Sequence, residues 1–330
     1  MTNDQRPTTN DQRPTTNDQR PTTTNFLDLV DLASERLGAA VVEANDEFFA
    51  PKENLIKPGP AIWKDGEYTE RGKWMDGWET RRRRDEGDHD WCIIRLGVTG
   101  LVRGVDVDTA FFKGNYPESC AIDAGDGSSW REILARSPLK GDSHNLFPIE
   151  SAAAATHLRV RIFPDGGVAR LRAHGDVVAD WDNLRRRGDV DLAAVEHGGL
   201  VVACSDMFFG SRHNLIMPGD ATHMGDGWET KRRRGPGHDW TIIRLGVAGT
   251  IRRIDVDTRH FKGNAPGACS LDASVDGESW RELVAKTPLQ PHARHTFEDQ
   301  VHAIGDVTHV RLNIFPDGGV GRLRLYGRPK

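Results

Sequence analysis

The sequence predicts an all-β protein that folds as two similar β-sandwich domains in tandem. The first observation is an internal duplication, in which DGWETRRRR at Asp76–Arg84 returns as DGWETKRRR at Asp226–Arg234. The second is the alternation of apolar and polar residues over short segments, and the third is the set of glycine-containing turns between them. Many short strands separated by such turns are typical of a β-sandwich.

The duplication covers nearly the whole chain. VDLASERLGAAVVEANDEFF at Val30–Phe49 returns in altered form at Val190–Phe209, and FPDGGVARLR returns as FPDGGVGRLR. Each copy has the length of an ordinary domain and is much longer than a solenoid repeat. We therefore predict a first domain at residues 26–175, a linker at 176–187 and a second domain at 188–330.

A low-complexity segment precedes the first copy. The heptapeptide TNDQRPT occurs there three times in succession, with no apolar residue beyond Met1. Such a segment cannot bury surface, so we predict that residues 1–25 form a disordered tail.

Strands dominate each copy. In THLRVRIF, Leu158, Val160 and Ile162 alternate with polar residues, and THVRLNIF repeats the pattern in the second copy. One face of each strand should therefore lie in a core. WCIIRLGV, VRGVDVDT and SCAIDAG read as further strands, and the start of each copy, at Asp31–Leu37 in the first, is the only modest helix candidate. This order of elements resembles the galactose-binding, discoidin-like jelly roll.

Composition narrows the class of partner. The net charge is −5 over 330 residues, which argues against a nucleic-acid partner despite runs such as Arg81–Arg84. No apolar run approaches the ~20 residues that span a bilayer, and the N-terminus carries no signal-like segment. We expect no membrane partner.

The cysteines indicate a reducing compartment. The four residues, Cys92, Cys120, Cys204 and Cys269, form no CxxC pair. Buried thiols in the cytoplasm account for all four. Exposed sandwich edges and a two-domain chain make self-association into a homo-oligomer plausible.

Several doubled motifs resemble those of the allantoicase family. They include FFAPKENLI at Phe48–Ile56, GDHDWCIIRLG at Gly87–Gly97, FKGNYPE at Phe112–Glu118, MDGWETRRRR and RIFPDGGVARLR, most of them with copies in the second half. The resemblance runs from about Phe26 to the C-terminus. It implies a repeated jelly roll and hydrolysis of the small molecule allantoate to ureidoglycolate and urea, in purine catabolism.

That reaction needs a general acid, a general base and a cation for the substrate carboxylate. The catalytic candidates are the carboxylates and histidines of two doubled motifs, namely Glu79, His89, Asp90, Glu229, His238 and Asp239. The substrate-binding candidates are Lys113, Asn115, Arg161, Lys262 and Asn264. His titrates near neutrality, so replacing His89 or His238 by Asn should lower turnover in at least one case.

Structural interpretations of these residues stay open. Glu79 can pair with neighbouring arginines, His89 can cap a loop, and Asn115 can adopt a left-handed turn. His89 and Asp90 are adjacent, so on a strand they point to opposite faces and are poor joint metal ligands. We predict no metal and no cofactor.

The two copies differ where a site could be asymmetric. Arg161 becomes Asn313, and about ten extra residues near Trp63–Trp74 have no counterpart in the second copy. One domain can therefore hold the working site, although a site shared between domains or subunits is an alternative. A second functional hypothesis, from the fold alone, is a non-enzymatic tandem carbohydrate-binding-like module.

Overall fold

The structure is a computed structural model that describes residues 25–84, 86–150 and 153–330. The predicted disordered tail, 1–25, lies outside these residues apart from Asn25. The described chain is nearly all β, and the prediction of two jelly-roll sandwiches is confirmed.

The first repeat contains twelve strands in its described residues. They are β1 (Val30–Asp31), β2 (Ala40–Ala44), β3 (Tyr68–Thr69), β4 (Gly72–Lys73), β5 (Trp78–Glu79), β6 (Asp90–Asp108), β7 (Ser119–Gly125), β8 (Trp130–Pro138), β9 (His144–Pro148), β10 (Ala155–Phe163), β11 (Gly167–Val168) and β12 (Arg170–Val177). Short 3₁₀ helices lie at Phe26–Asp28, Glu35–Leu37 and Lys52–Ile56.

The second repeat follows one short α-helix and has the same order without the β3–β4 hairpin. Its elements are α1 (Trp181–Arg186), β13 (Val190–Asp191), β14 (Leu200–Cys204), β15 (Trp228–Glu229), β16 (Asp239–Asp257), β17 (Ala268–Ser274), β18 (Arg281–Pro288), β19 (Arg294–Phe297), β20 (Val307–Phe315), β21 (Gly319–Val320) and β22 (Arg322–Pro329). Short 3₁₀ helices lie at Val195–His197, Arg212–Ile216 and Met224–Asp226.

One long strand joins the two layers of each sandwich. The first part of β6 pairs with β2 and β10, and its last part pairs with β12 and β9. The register with β10 jumps between Arg95 and Gly100, where the strand passes from one layer to the other. The sequence predicts two strands here, WCIIRLGV and VRGVDVDT, and the structure joins them because no turn interrupts the ladder. β16 does the same in the second repeat.

The core lies between the layers, as the alternation predicts. Leu158, Val160 and Ile162 are almost wholly buried. Trp78 is also buried and its indole N–H donates to the carbonyl of Asp46 at 2.7 Å. This bond satisfies the one polar atom of the ring and fixes the loop after β2 against β5.

The only α-helix in the described ranges lies in the segment predicted as a linker. Asp180 caps it by accepting from the amide of Asn183 at 3.0 Å, and arginines occupy its last turn. By contrast, the predicted helix candidate at Asp31–Leu37 forms only a 3₁₀ turn. The domain bounds of 26–175, 176–187 and 188–330 remain a prediction.

A small sheet of β5 and β11 closes one end of the first sandwich. Gly167 sits there against the buried ring of Phe112, and a Cβ at this position would lie 1.9 Å from the ring carbon Cε1. We expect Gly167→Ala to lower the free energy of unfolding by about 1–3 kcal/mol, since either ring or strand must shift. Guanidinium denaturation measures this loss. Gly114→Ala is the control, because no atom lies within 4 Å of its Cβ position; equal midpoints for the two variants would contradict the expectation.

Candidate active site

A cavity of about 630 Å³ opens at this end of the first sandwich. Loops around β5 and the loop after β6 form its walls. Its side chains include three aromatic rings, two lysines, a carboxylate and an amide, namely Phe49, Trp63, Phe111, Lys73, Lys113, Glu79 and Asn115. Three residues predicted from the sequence, Glu79, Lys113 and Asn115, therefore share one cavity.

Backbone pairing on both sides fixes Glu79. Its strand pairs with Gly167 on one side and bridges to Ala50 on the other. The neighbouring Trp78 is buried in the core, so alternation along the strand turns Glu79 toward the cavity. The carboxylate is thereby held half-buried by rigid backbone.

Asn115 is the polar partner of Glu79. Its Nδ2 donates to Glu79 Oε1 at 2.7 Å, and its carbonyl accepts from the amide of Gly167 at 2.7 Å. Burial raises the pKa of Glu79, and the hydrogen bond from Asn115 opposes that shift. A carboxyl that keeps its proton to higher pH than usual is suited to act as a general acid.

The cationic and aromatic walls face this pair. Lys113 is 77% exposed, and its Nζ lies 3.8 Å from Asp142 Oδ2. Lys73 Nζ lies 4.0 Å from the centroid of the Trp63 ring, whose neighbour is Phe111 at 5.6 Å. Phe111 itself has a left-handed backbone, with φ of 69°, and its amide donates to Asp142 at 2.8 Å.

The other predicted residues of the first repeat do not line this cavity. His89 Nδ1 lies 2.5 Å from Asp88 Oδ1, and its ring lies 5.2 Å from that of Phe163. Arg161 Nη2 donates to Asp123 at 3.0 Å and to Glu132 at 2.9 Å. Their catalytic and binding roles stay predictions.

Asp90 is buried next to a different cavity. It accepts from Arg83 Nη1 and Asn45 Nδ2, both at 2.7 Å. The second cavity, of about 460 Å³, is lined by Asp90 and the run Arg81–Arg84. Within this run, Arg83 pairs with Asp90 and Arg81 pairs with Asp46, at 2.7 and 2.6 Å.

The second repeat keeps the carboxylate–amide pair. Asn264 Nδ2 donates to Glu229 Oε1 at 2.5 Å, and Glu229 bridges to Gly210 as Glu79 does to Ala50. Lys262 is exposed in the loop after β16. The same local motif therefore builds the same local geometry twice.

His238 and Asp239 also repeat the first copy. The ring of His238 lies 4.6 Å from that of Phe315, and its Nε2 lies 3.2 Å from Asn313 Oδ1. Asp239 is buried and paired with Arg233. In the described part of the chain, neither His238 nor Asp239 forms a hydrogen bond or an ion pair with Glu229 or Asn264.

The surroundings of the two pairs differ. Phe209 is 62% exposed, whereas Phe49, at the same position of the first copy, is partly covered. The β3–β4 hairpin lies against this ring, since a Cβ at Gly72 would be 3.6 Å from Phe49 Cδ1, and the hairpin belongs to the inserted segment near Trp63–Trp74. The insertion is visible in the sequence, but the doubled motifs do not predict Lys73, Trp63, Phe49 or Phe111 as site residues. An unmatched segment with two tryptophans and two lysines is the sequence signal that points to this part of the cavity wall.

No group of three or more His, Cys, Asp or Glu residues in the described ranges is arranged to hold a metal ion. Among the same residues, no helix is both long and apolar enough to cross a bilayer.

Comparisons with known proteins find matches to one family over most of the chain. A family model described as the allantoicase repeat matches residues 30–178 and 190–330. A probable allantoicase of Pseudomonas aeruginosa (strain LESB58) is 50% identical over 324 residues, covering 92% of this chain and 97% of the relative. A probable allantoicase of Photobacterium profundum is 48% identical over 322 residues, with the same coverage.

The fold agrees with a solved relative. The crystal structure of allantoicase from Saccharomyces cerevisiae matches with a TM-score of 0.80 and 38% identity, covering 90% of this chain and 92% of that one. Another structure of allantoicase matches with a TM-score of 0.80 and 37% identity, covering 91% and 93%.

Proposed function

This chain belongs to the allantoicase family, and from that premise we propose that it hydrolyses allantoate to ureidoglycolate and urea in purine catabolism. The observation that supports a site in the first repeat is the half-buried Glu79, held by Asn115 in a cavity with two lysines. The alternative of a tandem carbohydrate-binding-like module is not favoured, because the family match covers both repeats.

In this proposal Glu79 is the general acid. The α-carbon of allantoate carries a carboxylate and two ureido groups. As one C–N bond breaks, its electron pair passes to the leaving nitrogen, which takes the proton of Glu79, and urea departs. The remaining ureido nitrogen forms a double bond to the α-carbon.

Water then adds to the α-carbon and opens that double bond. Its oxygen forms the new C–O bond, and its proton returns to the Glu79 carboxylate, which is now the base. The product is ureidoglycolate, and Glu79 is protonated again. One carboxyl group therefore serves both steps, as Asn115 keeps Oε1 occupied and leaves Oε2 for the proton.

The substrate carboxylate needs a cation, and two lysines, Lys73 and Lys113, lie in the same cavity as Glu79. Arg161 is the weaker candidate, since Asp123 and Glu132 already pair with its guanidinium. Because Glu79 lines this cavity and His89 does not, the geometry favours Glu79 over His89 as the acid.

Two further expectations belong to this proposal. All four cysteines are free thiols, which fits a cytoplasmic location. Assembly into a homo-oligomer is supported by the exposed aromatic pair Phe208 and Phe209 on the second repeat.

The test is urea release from allantoate by the purified chain. We expect urea to be released. The assay is run across pH and with added divalent ions or a chelator, so that a metal requirement does not hide activity. Release of no urea under all of these conditions would remove the proposal.

A further inference from the structure

We propose that Lys73, on the hairpin found only in the first repeat, selects for a ligand that carries a carboxylate. The hairpin consists of β3 and β4, with Tyr68 paired to Lys73 and Thr69 to Gly72. It adds Gly72 and Lys73 to the wall of the cavity that contains Glu79, and Trp63, earlier in the same inserted segment, adds its ring. The class of ligand, a ureido carboxylate, rests on the proposed function.

The hairpin is fastened to the rest of the cavity wall. Arg71 Nη1 donates to the carbonyl of Phe48 at 3.1 Å, and the amide of Ile62 donates to Asp76 Oδ2 at 2.9 Å. The amide of Trp74 donates to the carbonyl of Glu67 at 3.0 Å. The bonds of Arg71 and Ile62 tie the inserted segment to residues outside it, and the Trp74 bond closes the segment on itself, so Lys73 is held at the cavity.

Lys73 differs from the other lysines nearby. In the described part of the chain Lys73 has no carboxylate partner, whereas Lys64 pairs with Glu67 at 3.5 Å and Lys113 lies near Asp142. The Trp63 ring supports the Lys73 ammonium on one side. An ammonium has three donors, so this contact leaves hydrogens for an anion.

The second repeat lacks this cation. The hairpin that carries Lys73 is missing there, and His260 stands where the first repeat has Phe111. Both repeats keep the carboxylate–amide pair, so what distinguishes the first is the aromatic wall with its unpaired lysine. This wall therefore selects the ligand by its negative charge.

The experiment measures binding by calorimetry with N-carbamoylglycine, which has a carboxylate and one ureido group but no second ureido group to lose. Its neutral counterpart is N-carbamoylglycinamide. We expect the wild type to prefer the acid, Lys73→Ala to weaken acid binding by about tenfold or more, and Lys73→Arg to retain most of it. Amide binding should be equal in the wild type and Lys73→Ala.

Lys64→Ala is the matched control, since it removes a paired lysine from the same inserted segment and should leave acid binding unchanged. Three results would overturn the inference: no preference of the wild type for the acid, full acid binding by Lys73→Ala, or a parallel loss of amide binding. Because binding is read without turnover, a chain that releases no urea but shows this preference would lose the proposed function and keep the inference.

Discussion

Glu79→Gln is expected to lower kcat for urea release by at least about 100-fold, the usual contribution of a positioned general acid. Glutamine keeps the size of the side chain and an oxygen to accept from Asn115, so the cavity wall should survive. It cannot donate and recover a proton as the carboxyl does. Steady-state kinetics with allantoate measure the loss, and the unfolding midpoint checks the fold.

Glu229→Gln is the matched control, as it makes the same change in the second repeat, where the hairpin is absent. We expect it to keep most of the activity. His89→Asn distinguishes the two acid candidates, and it should also keep activity if Glu79 is the acid. Full activity of Glu79→Gln with loss of turnover in His89→Asn would reverse the assignment.

The pH profile gives an independent measure of the same group. Burial raises the pKa of Glu79, and only the protonated carboxyl can act as acid in the first step. Activity that depends on this proton is present below the raised pKa and falls as pH rises through it. The residual activity of Glu79→Gln should lack this falling limb.

Arg170→Met is expected to lower the free energy of unfolding by about 3–5 kcal/mol, because it leaves a buried carboxylate without its partner. Arg170 is 3% exposed, and its Nη2 lies 2.6 Å from Asp76 Oδ2. Its Nη1 donates to the carbonyls of Asp76 and Ala169 at 2.9 and 2.7 Å. Guanidinium denaturation at neutral pH measures the loss.

The loss of unfolding free energy in Arg170→Met should be smaller at acidic pH. Burial opposes ionisation of Asp76, but hydrogen bonds from Arg170 and the Ile62 amide outweigh it and hold the pKa of this carboxyl below its usual value. A depressed pKa stabilises the fold above the unfolded pKa, and the gain disappears as pH falls through the folded pKa. Arg103→Met, which removes a half-exposed pair with Asp176, is the control and should cost about 1 kcal/mol or less. Equal losses at neutral pH would contradict the expectation.

Much of the fold could be predicted from the sequence, because the local patterns decide it. The alternation around Leu158 sets which face of β10 is buried, and the duplication repeats each element. The contact between Glu79 and Asn115 was harder to predict, since it depends on the loop after β6 meeting β5. The doubled motifs predict both residues from their chemistry alone.

The parts that could not be predicted depend on tertiary packing. The ring of His89 and the guanidinium of Arg161 find partners across the sheet, in Phe163 and Asp123, and no local pattern specifies those contacts. The position of Lys73 in the cavity wall likewise depends on where the inserted hairpin folds back. An insertion without a repeat partner offers no internal comparison from which to infer its position.

The shared strand β6 also bears on how the molecule unfolds. Since one continuous backbone contributes hydrogen bonds to both layers, neither layer can separate while the other stays intact. Each repeat should therefore melt as a single cooperative unit, and the end that carries the Glu79 cavity should not unfold before the rest of its repeat.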